Sequence, residues 1–576
     1  MQRERADQSS VHRGPVFLRL VLLATACVSL AQTQALQPDD QPSTIHGTVV
    51  NSVTGSPISR ALVFTPGNHF AMLTDGEGRF EFALPKVRND NLSGPNGGQR
   101  YIFGPTVLMA RKPGFLDHPN GQPPIEANPG AEIVLPLLPE ALIKGRVISS
   151  ETDLATGVQV QLFSRQVQDG TPKWLPAGST RANSNGEFRF AELQPGTYKL
   201  MTHELLDFDP VVAVPGGQQY GFSPVYFPGV SDDAAAGTVQ LTAGQTVQAD
   251  IPIAHQPYFD VVIPIANPDP NTNLNVSVSM QGRRGSGYAL GYNAEKQRIE
   301  GLLPNGKYLV EAATAQNSAS GQVNLSVSGA PAQGPSLSLV SNSSIPVHVT
   351  EQFTASDWNG QMTWNSGGHS FQVHGPRQYL NINAESADDF GGRGASLRPP
   401  TGANDDSLLL ENLPPGRYWL RASSSRGYVA SATMGGVDLL RDPMVVDTGS
   451  SAPIEITLRD DTAELDGTVA GITPPAITES SSSTFTRQSP QAWVYCVPAP
   501  DSPGQFRQVG ISPDGKFNAT AMPPGVYRIL AFANQQPNLP YRDAEAMRVY
   551  ESKGQVVHLS AGQKASVQLQ LIASIE

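Results

Sequence analysis

His348 and Glu351, a histidine followed three positions later by a glutamate, are candidate metal ligands for a catalytic site. A zinc peptidase centre can take ligands from such a pair and another from a distant histidine. The pair lies in a stretch of alternating apolar and polar residues that predicts a β-strand. Side chains three positions apart on a strand point to opposite faces, so we expect no shared metal ion and no catalysis there.

Two acidic turns, Asp75-Gly76-Glu77-Gly78 and Asp232-Asp233, offer oxygen ligands for calcium. Both have too few carboxylates at regular spacing for a calcium loop, and turn chemistry alone explains the first. The sequence also lacks the His-Glu-x-x-His, Gly-x-Ser-x-Gly, Cys-x-x-Cys and phosphate-loop patterns, which mark zinc, nucleophilic, redox and nucleotide sites. The chain is therefore predicted not to be an enzyme and to need no cofactor or metal.

Aromatic residues in predicted loops are the remaining candidates for ligand binding. They are Trp174, Tyr220, Tyr226, Trp358 and Trp364, the last two flanking a predicted turn at Asn359-Gly360. The C–H face of a sugar stacks on an exposed ring, so these side chains suit a glycan. The same rings could instead plug the ends of domains or fill the junctions between them, and both interpretations stay open.

The elements that must position these residues are recognisable from a repeat. A proline-rich turn, then glycine, one residue and tyrosine, then an apolar run, occurs four times. The tyrosines are Tyr198, Tyr308, Tyr418 and Tyr527, spaced by 110, 110 and 109 residues. Proline presets the turn, and the tyrosine begins a strand of period two. Chance does not explain this spacing, so the pattern predicts one structural unit used repeatedly.

Two further motifs accompany the tyrosine turn. Opening strands share an apolar-x-Gly-x-Val pattern around Gly47, Gly145 and Gly467, and turns such as Asn185-Gly186 precede alternating Phe and charged residues. We interpret these turns as tight β-hairpins. With a closing strand, each unit has about seven short strands, the number in a β-sandwich. The middle two units carry degenerate versions of these motifs.

The predicted fold class is all-β, with a tandem array of about five seven-stranded Greek-key sandwiches of the transthyretin or immunoglobulin type. The predicted domains are residues 43–138, 139–254, 255–341, 342–459 and 460–576, the third and fourth being diverged. The composition agrees, because 55 glycines and 49 prolines supply many turns, and apolar residues at 39% can still build cores. Trp419, Trp493 and Cys496 fall inside strand-like runs and are expected in the core.

The N-terminus predicts export. A basic region with Arg3, Arg5 and Arg13 precedes an apolar stretch from Val16 to Leu30, and Ser29-Leu30-Ala31 offers a cleavage site. We therefore predict a signal peptide over residues 1–31, an extracytoplasmic location (periplasmic, outer-surface or secreted) and no later transmembrane segment. Cleavage after Ala35, an uncleaved anchor and lipidation at Cys27 stay open as alternatives. Cleavage after Ala31 would leave Cys496 as the one cysteine, without a disulfide partner.

The residues around these motifs resemble the carboxypeptidase regulatory-like domain of exported bacterial proteins. The match depends on Thr74-Asp75-Gly76-Glu77-Gly78-Arg79-Phe80 in the first unit and on Asn185-Gly186-Glu187-Phe188 with Leu193-Gln194-Pro195-Gly196-Thr197-Tyr198 in the second. The resemblance implies a transthyretin-like sandwich that stands beside a peptidase and carries no zinc itself. Such modules are grouped with carbohydrate-binding-like sandwiches, which implies a glycan ligand. The predicted partner is a glycan or another cell-envelope protein.

The function predicted from the sequence is that of an exported, non-catalytic binding or scaffold protein displaying loops on a semi-rigid rod of sandwiches. One alternative is a carbohydrate-binding protein that uses the loop aromatics. A second is an accessory subunit of an extracytoplasmic hydrolase. Nucleic acid is not an expected partner, because the net charge of −12 repels phosphate backbones.

Overall fold

The computed structural model describes residues 43–66, 71–84, 106–116, 125–127, 132–149, 156–207, 217–267, 273–280, 287–354, 362–366, 369–387, 394–402, 405–447, 451–472 and 492–572. The predicted signal peptide and Trp358 lie outside these ranges. We call the five predicted domains units 1 to 5.

The strands of units 1 and 2 are short and closely spaced. Those of unit 1 are β1 (Ser43–Asn51), β2 (Leu62–Phe64), β3 (Ala71–Leu73), β4 (Arg79–Leu84), β5 (Thr106–Arg111), β6 (Phe115–Leu116), β7 (Ile125–Ala127) and β8 (Glu132–Pro139). Those of unit 2 are β9 (Ala141–Ser149), β10 (Gln159–Gln168), β11 (Thr171–Arg181), β12 (Glu187–Leu193), β13 (Gly196–Thr202), β14 (Leu205–Leu206), β15 (Gln219–Phe222), β16 (Val239–Leu241), β17 (Thr246–Gln248) and β18 (Ile251–Ile253).

Units 3 and 4 continue in the same way. The strands of unit 3 are β19 (His255–Pro264), β20 (Leu274–Met280), β21 (Leu290–Asn293), β22 (Arg298–Pro304), β23 (Gly306–Thr314), β24 (Ala319–Val327), β25 (Ala332–Gln333) and β26 (Val340–Ser341). Those of unit 4 are β27 (Ser343–Gln352), β28 (Met362–Ser366), β29 (His369–Val373), β30 (Leu380–Ser386), β31 (Ala395–Ser396), β32 (Leu409–Leu413), β33 (Gly416–Ser424), β34 (Tyr428–Met434), β35 (Val437–Asp438), β36 (Met444–Val446) and β37 (Ile454–Arg459).

Unit 5 holds the one α-helix of the described residues. Its strands are β38 (Ala463–Ala470), β39 (Ala492–Pro498), β40 (Arg507–Ile511), β41 (Lys516–Met522), β42 (Gly525–Phe532), β43 (Gln555–Leu559) and β44 (Lys564–Gln570). The helix α1 covers Ala544–Met547, and 3-10 turns cover Asp233–Ala235, Gly375–Gln378 and Arg548–Tyr550. Within the described ranges, no helix has the length and apolarity needed to cross a membrane.

The five units share one sheet topology. In each, the opening strand pairs antiparallel with a strand from the middle of the unit and parallel with a strand near its end. The opening strands are β1, β9, β19, β27 and β38. The diverged units 3 and 4 keep this arrangement although their glycine turns are degenerate, so the topology survives where the motif does not.

A second sheet completes each unit. Its strand orders are β3-β2-β5-β7, β11-β10-β13-β16, β20-β23-β24-β26, β31-β30-β33-β36 and β40-β39-β42-β43 in units 1 to 5. Six clusters of buried apolar side chains are described, each drawn from within one unit, and unit 5 holds two of them. Two sheets closing on one apolar layer form a β-sandwich. The predicted all-β fold of tandem β-sandwiches is therefore confirmed, while the exact domain limits stay a prediction.

The four repeat tyrosines occupy equivalent positions. Tyr198, Tyr308, Tyr418 and Tyr527 each lie buried near the start of a strand. Each hydroxyl donates to the carbonyl four residues earlier, over 2.7, 2.8, 2.8 and 2.6 Å respectively, on Gln194, Pro304, Pro414 and Pro523. This hydrogen bond is the tyrosine corner of β-sandwiches, which closes the turn before the strand.

The glycine turns are not hairpins, which corrects the interpretation from the sequence. The turns between β3 and β4, β11 and β12, and β40 and β41 each lead from one sheet of a sandwich to the other. Each turn contains a glycine at positive φ: Gly78, Gly186 or Gly515. The carbonyl of this glycine accepts a hydrogen bond of 2.8 Å from a backbone N–H of the opening strand. The donor is the valine that ends the apolar-x-Gly-x-Val pattern. The two motifs therefore form one structural element.

The glycine of the opening strand is needed for packing. Gly145 pairs with Phe188, and a Cβ on Gly145 would lie 2.7 Å from the Phe188 ring and 2.0 Å from the carbonyl oxygen of Ala249. Gly47 and Gly467 face Phe80 and Phe517 in the same way. The phenylalanine ring occupies the space that a side chain on the glycine would fill. This explains why the glycine of the opening strand and the phenylalanine after the turn occur together.

Units 2 and 3 share a sheet. The short strands β14 and β15 belong by sequence to the predicted second domain, yet β15 pairs antiparallel with β19, the opening strand of unit 3. Phe222 of β15 nevertheless packs in the apolar cluster of unit 2. This seam between the two units positions one of the predicted ligand residues, Tyr220.

Candidate functional site

The predicted ligand aromatics lie in very different surroundings. Trp174 is only 6% exposed, and two cations approach its ring: the Lys199 amine at 4.8 Å and the Arg165 guanidinium at 5.3 Å from the centroid. Lys199 also pairs with Asp233 over 2.8 Å. The ring of Trp174 thus packs within unit 2 against these two cations and presents no open face for a ligand.

Tyr226 is likewise buried, at 5% exposure. Burial raises the pKa of its hydroxyl, and the nearby carboxylates Asp233 and Asp232 raise it further. Its backbone forms isolated antiparallel bridges with Met201 of β13 and with Val230. For Trp174 and Tyr226 the structure therefore agrees with the packing interpretation that the sequence left open.

Tyr220 is the predicted ligand residue that remains open, with 42% of its surface exposed. It lies on β15 opposite Pro257, and its ring stacks on the His255 imidazole with the centroids 5.2 Å apart and the planes 24° apart. Phe222 supports the imidazole from the same strand at 5.1 Å. We call Tyr220, His255, Phe222 and Asp207 the Tyr220 platform.

Asp207 supplies the polar part of this platform. Its Oδ2 lies 2.6 Å from Nε2 of His255, and its backbone N–H donates to the Tyr220 carbonyl over 3.0 Å. About half of the Asp207 side chain is exposed. An open ring beside a carboxylate with a second oxygen to accept hydrogen bonds can take a ligand that has an apolar face and hydroxyl groups.

For Trp358 and Trp364, the other two predicted ligand residues, the structure gives no side-chain surroundings. Trp358 lies outside the described residues. Trp364 lies in β28, where it is paired with Phe371 of β29. Strand β28 ends at Ser366 and pairs antiparallel with β29, which begins at His369, and Asn359-Gly360 lies outside the described residues. Whether Trp358 or Trp364 binds a ligand stays a prediction.

The residues expected in the core are partly elsewhere. Cys496 is fully buried in unit 5, as predicted, and burial raises the pKa of its thiol to about 12. Trp419 and Trp493 are both half-buried. Trp493 packs against a buried apolar cluster of unit 5, whereas Trp419 lies between units, so the expected core position is wrong for Trp419. On a strand that alternates between two faces, Trp419 lies on the face opposite Tyr418 and contacts unit 5, where Arg542 lies 5.3 Å above its ring.

His348 and Glu351 are held apart. His348 Nδ1 lies 2.9 Å from Glu455 Oε1 on the neighbouring strand β37, whereas Glu351 accepts a hydrogen bond from the Tyr379 hydroxyl. Across the described ranges, no group of three potential metal-ligating side chains was found. The two residues stabilise different contacts within unit 4.

An open groove of about 510 Å³ on unit 5 was not foreseen from the sequence. Side chains from both sheets line it, among them Asp466, Lys516, Asn518 and Ser566. Its lining combines one carboxylate, one amine and small hydroxyl or amide groups with apolar surface that includes the buried Phe517. No pattern in the sequence marks these four residues, because they come from three strands, β38, β41 and β44.

The Asp169 junction was also missed, although a signal for its turn exists in the sequence. Asp169-Gly170 is a two-residue loop between β10 and β11, with φ of 50° and 75°, as expected of a type I′ turn. The Asp169 carboxylate pairs with Arg421 of unit 4 and lies 3.4 Å from Arg542 of unit 5. The Tyr541 hydroxyl of unit 5 also donates to it.

The Asp169 junction changes the expected arrangement of units. Unit 2 contacts units 4 and 5, which are not its neighbours in sequence, so the linear rod expected from the sequence is wrong. Arg421 is also 2.9 Å from Glu385. Burial lowers the pKa of Arg421 to about 10. The junction is thus a small, partly enclosed group of opposite charges contributed by three units.

A buried carboxyl group lies where units 2 and 3 meet. Glu204 of unit 2 accepts a hydrogen bond of 3.1 Å from the backbone N–H of Ala289 in unit 3 and donates its own N–H to the Gly287 carbonyl, also over 3.1 Å. Burial raises the pKa of Glu204 to about 7, against the opposing effects of the Ala289 N–H and the Tyr258 hydroxyl. The contact between the units is therefore sensitive to protonation.

Comparisons with known proteins leave the family open. No family model matches the chain, and no curated protein matches it. The solved structures found include the minor pilin GBS52 of Streptococcus agalactiae (14% identity, 36% of this chain and 95% of that chain, TM-score 0.17) and the major pilin subunit BcpA of Bacillus cereus (10%, 56% and 99%, 0.12). The tip fimbrial protein Mfa3 of Porphyromonas gingivalis is a third (9%, 33% and 83%, 0.15). Such low TM-scores carry no information on what this chain does.

Proposed function

We propose that this chain is an exported, non-catalytic scaffold of β-sandwich units that presents loops and seams for binding at the cell envelope. The observation that carries the proposal is the way units are joined. They share strands at the seam of units 2 and 3 and interlock at the Asp169 junction. While the Asp169 junction is closed, a set of sandwiches built in this way holds its surface loops in fixed relation, which is what a binding scaffold requires. The resemblance to the carboxypeptidase regulatory-like domain supports the same role.

The test of this proposal has two parts. The full chain, expressed with a C-terminal tag in a bacterium, is expected to appear outside the cytoplasm with a new N-terminus at Gln32 or Leu36. The purified product is expected to bind a cell-envelope component and to leave peptide, ester and glycoside substrates intact. Retention of the unprocessed chain in the cytoplasm, or turnover of a substrate by the pure protein, would contradict the proposal.

A carbohydrate-binding role is the second candidate, and the Tyr220 platform favours it. The exposed ring of Tyr220 and the carboxylate of Asp207 lie side by side on a rigid seam between two units. Neutral sugars offer the matching apolar face and hydroxyl groups. The ring stack is held by His255 and by strand pairing, so little ordering is needed when a ligand binds.

A glycan array with the mature chain tests this candidate directly. Tyr220→Ala is expected to weaken binding of any retained glycan about tenfold, because an aromatic stack contributes roughly 0.5–1.5 kcal/mol beyond its burial. Val556→Ala, an exposed apolar residue of unit 5, is the matched control and is expected to bind normally. Equal binding by Tyr220→Ala and the unsubstituted chain would remove the Tyr220 platform as the site.

A further inference from the structure

The hairpin β10–β11 is longer than the sandwich it belongs to. Strand β10 pairs with β13 only from Val160 to Ser164, whereas its pairing with β11 continues to Gln168 opposite Thr171. The last four residue pairs and the Asp169-Gly170 turn therefore project beyond the second sheet of unit 2. A two-residue type I′ turn keeps such a projecting hairpin stiff, because its twist matches that of the strands.

The projecting tip is received by residues of two other units. The Arg542 N–H donates to the Gly170 carbonyl over 3.0 Å, and the Tyr541 ring lies so close that a Cβ on Gly170 would approach it to 2.8 Å. Tyr541 is itself stacked on Phe506, with the centroids 4.0 Å apart. On the other side, the buried Lys173 amine donates to the Ser386 carbonyl of unit 4 over 2.9 Å.

The charges at this contact balance only when the tip is docked. Asp169 and Glu385 face Arg421 and Arg542. If the tip leaves, two guanidinium groups remain beside a single carboxylate. Each of the four side chains keeps between a fifth and a third of its surface exposed, so dissolved salt reaches the charges and weakens their attraction.

From this geometry we propose that the Asp169-Gly170 tip is a latch. When docked it closes units 2, 4 and 5 into one compact body, and when released it lets unit 2 and its attached neighbours swing away from units 4 and 5. The covalent path from the tip runs through the rest of unit 2 and all of unit 3 before it reaches Glu385 and Arg421 of unit 4, and through most of unit 5 before it reaches Arg542. Closure therefore depends on the latch and not on the linkers beside it. Ionic strength and substitutions at the tip set the balance between the closed and open forms.

Small-angle X-ray scattering of the mature chain tests the latch. The unsubstituted chain at low salt is expected to give the smallest maximum dimension, and Asp169→Ala is expected to give a larger one at every salt concentration. Asp75→Ala is the matched control, because Asp75 caps a turn in unit 1 through local contacts with Glu77 and Arg79. Arg542→Gln, which breaks the same contact from unit 5, is expected to open the chain as well.

Limited proteolysis supplies a second measurement. Trypsin cleavage after Arg542 requires that the latch opens. Asp169→Ala removes the carboxylate that holds the tip to Arg421 and Arg542, so the cleavage rate is expected to rise about tenfold. A tenfold change corresponds to about 1.4 kcal/mol. Circular dichroism of each variant checks that the sheets are intact. Identical scattering for the unsubstituted chain, Asp169→Ala and Arg542→Gln, or equal rates of cleavage after Arg542 in the unsubstituted chain and Asp169→Ala, would overturn the proposal.

Discussion

Each repeat tyrosine stabilises its turn through the hydrogen bond of its hydroxyl group. The hydroxyl of Tyr308 is buried and donates to the Pro304 carbonyl, which is itself buried. A buried carbonyl that loses its donor costs about 1–3 kcal/mol, more than the net gain from an average hydrogen bond. The ring alone would fill the same space, so the hydroxyl explains why the position is tyrosine and not phenylalanine.

Tyr308→Phe is therefore expected to lower the free energy of unfolding of unit 3 by about 1–2 kcal/mol. Urea denaturation followed by circular dichroism measures the change. Tyr220→Phe is the control, because the Tyr220 side chain is exposed and its hydroxyl has water available. Equal losses in the two variants would mean that the corner hydrogen bond contributes nothing specific.

Glu204 gives the stability of the unit 2–3 contact a defined pH dependence. Its pKa in the folded chain, about 7, lies above the ordinary value of 4.5. The folded state therefore binds more protons than the unfolded state between these values, and the free energy of unfolding falls as pH rises through that window. A difference of this size corresponds to at most about 3 kcal/mol above pH 7.

Glu204→Gln is expected to abolish this loss. The variant should be more stable than the unsubstituted chain at pH 8 and lose the advantage toward pH 4.5, as measured by urea denaturation at a series of pH values. His203, whose pKa burial lowers, acts with the opposite sign. It is present in both chains, so it cancels in the difference. Parallel pH profiles for the two chains would contradict the role of Glu204.

At the scale of elements, the glycine–phenylalanine pairing decides whether the opening strand can pack. Gly145→Ala would place a methyl group 2.0 Å from the Ala249 carbonyl oxygen and 2.7 Å from the Phe188 ring. Backbone on one side and a buried ring on the other leave no room to adjust. Overpacking of this kind costs about 1–3 kcal/mol or more.

We expect Gly145→Ala to lower the midpoint of thermal unfolding of unit 2. Gly178→Ala in the same unit is the control, because a Cβ there lies at an ordinary 3.9 Å from Phe190 and the backbone is extended. Differential scanning calorimetry of both variants measures the effect. If Gly178→Ala were as damaging, general intolerance of unit 2 would explain the result and the pairing would not.

The elements themselves could largely be predicted, but their connections could not. The alternation at Phe188-Arg189-Phe190 predicts a strand, and it is one. The same alternation fits a hairpin within one sheet and a crossing between two, so the sequence pattern does not distinguish them. A bulge near Glu192, where the pairing of β12 with β9 shifts and φ is positive, is equally unmarked because the residue is not glycine.

At the scale of the whole molecule, each unit has its own core, so the units are expected to unfold separately. Cys496 reports on unit 5, since its buried thiol, with a pKa of about 12, reacts only when that unit opens. In a chain carrying Cys27→Ser, Gly467→Ala is expected to speed thiol labelling and Gly145→Ala to leave the rate nearly unchanged. Equal acceleration by both would show that the cores form one cooperative body.

The arrangement of units was beyond the reach of the sequence. Asp169 meets Arg421 and Arg542, residues more than 250 and 370 positions away, through charges that carry no periodic pattern. The Tyr220 platform was partly foreseen, because Tyr220 was identified, but His255 and Asp207 come from other strands and loops. The criterion of an aromatic residue in a predicted loop does not distinguish the exposed Tyr220 from the buried Trp174.

The side-by-side, parallel placement of the first strand and a late strand in every unit has a mechanical consequence. Because the two strands run in the same direction, the chain enters a unit at one end of the pair and leaves it at the other. A pull on the two ends of the chain would draw these strands past each other and strain all the hydrogen bonds between them at once. Such a shear load is borne in common, so units 1, 2, 4 and 5, in which the parallel partner is the last strand, are built to resist stretching along the chain.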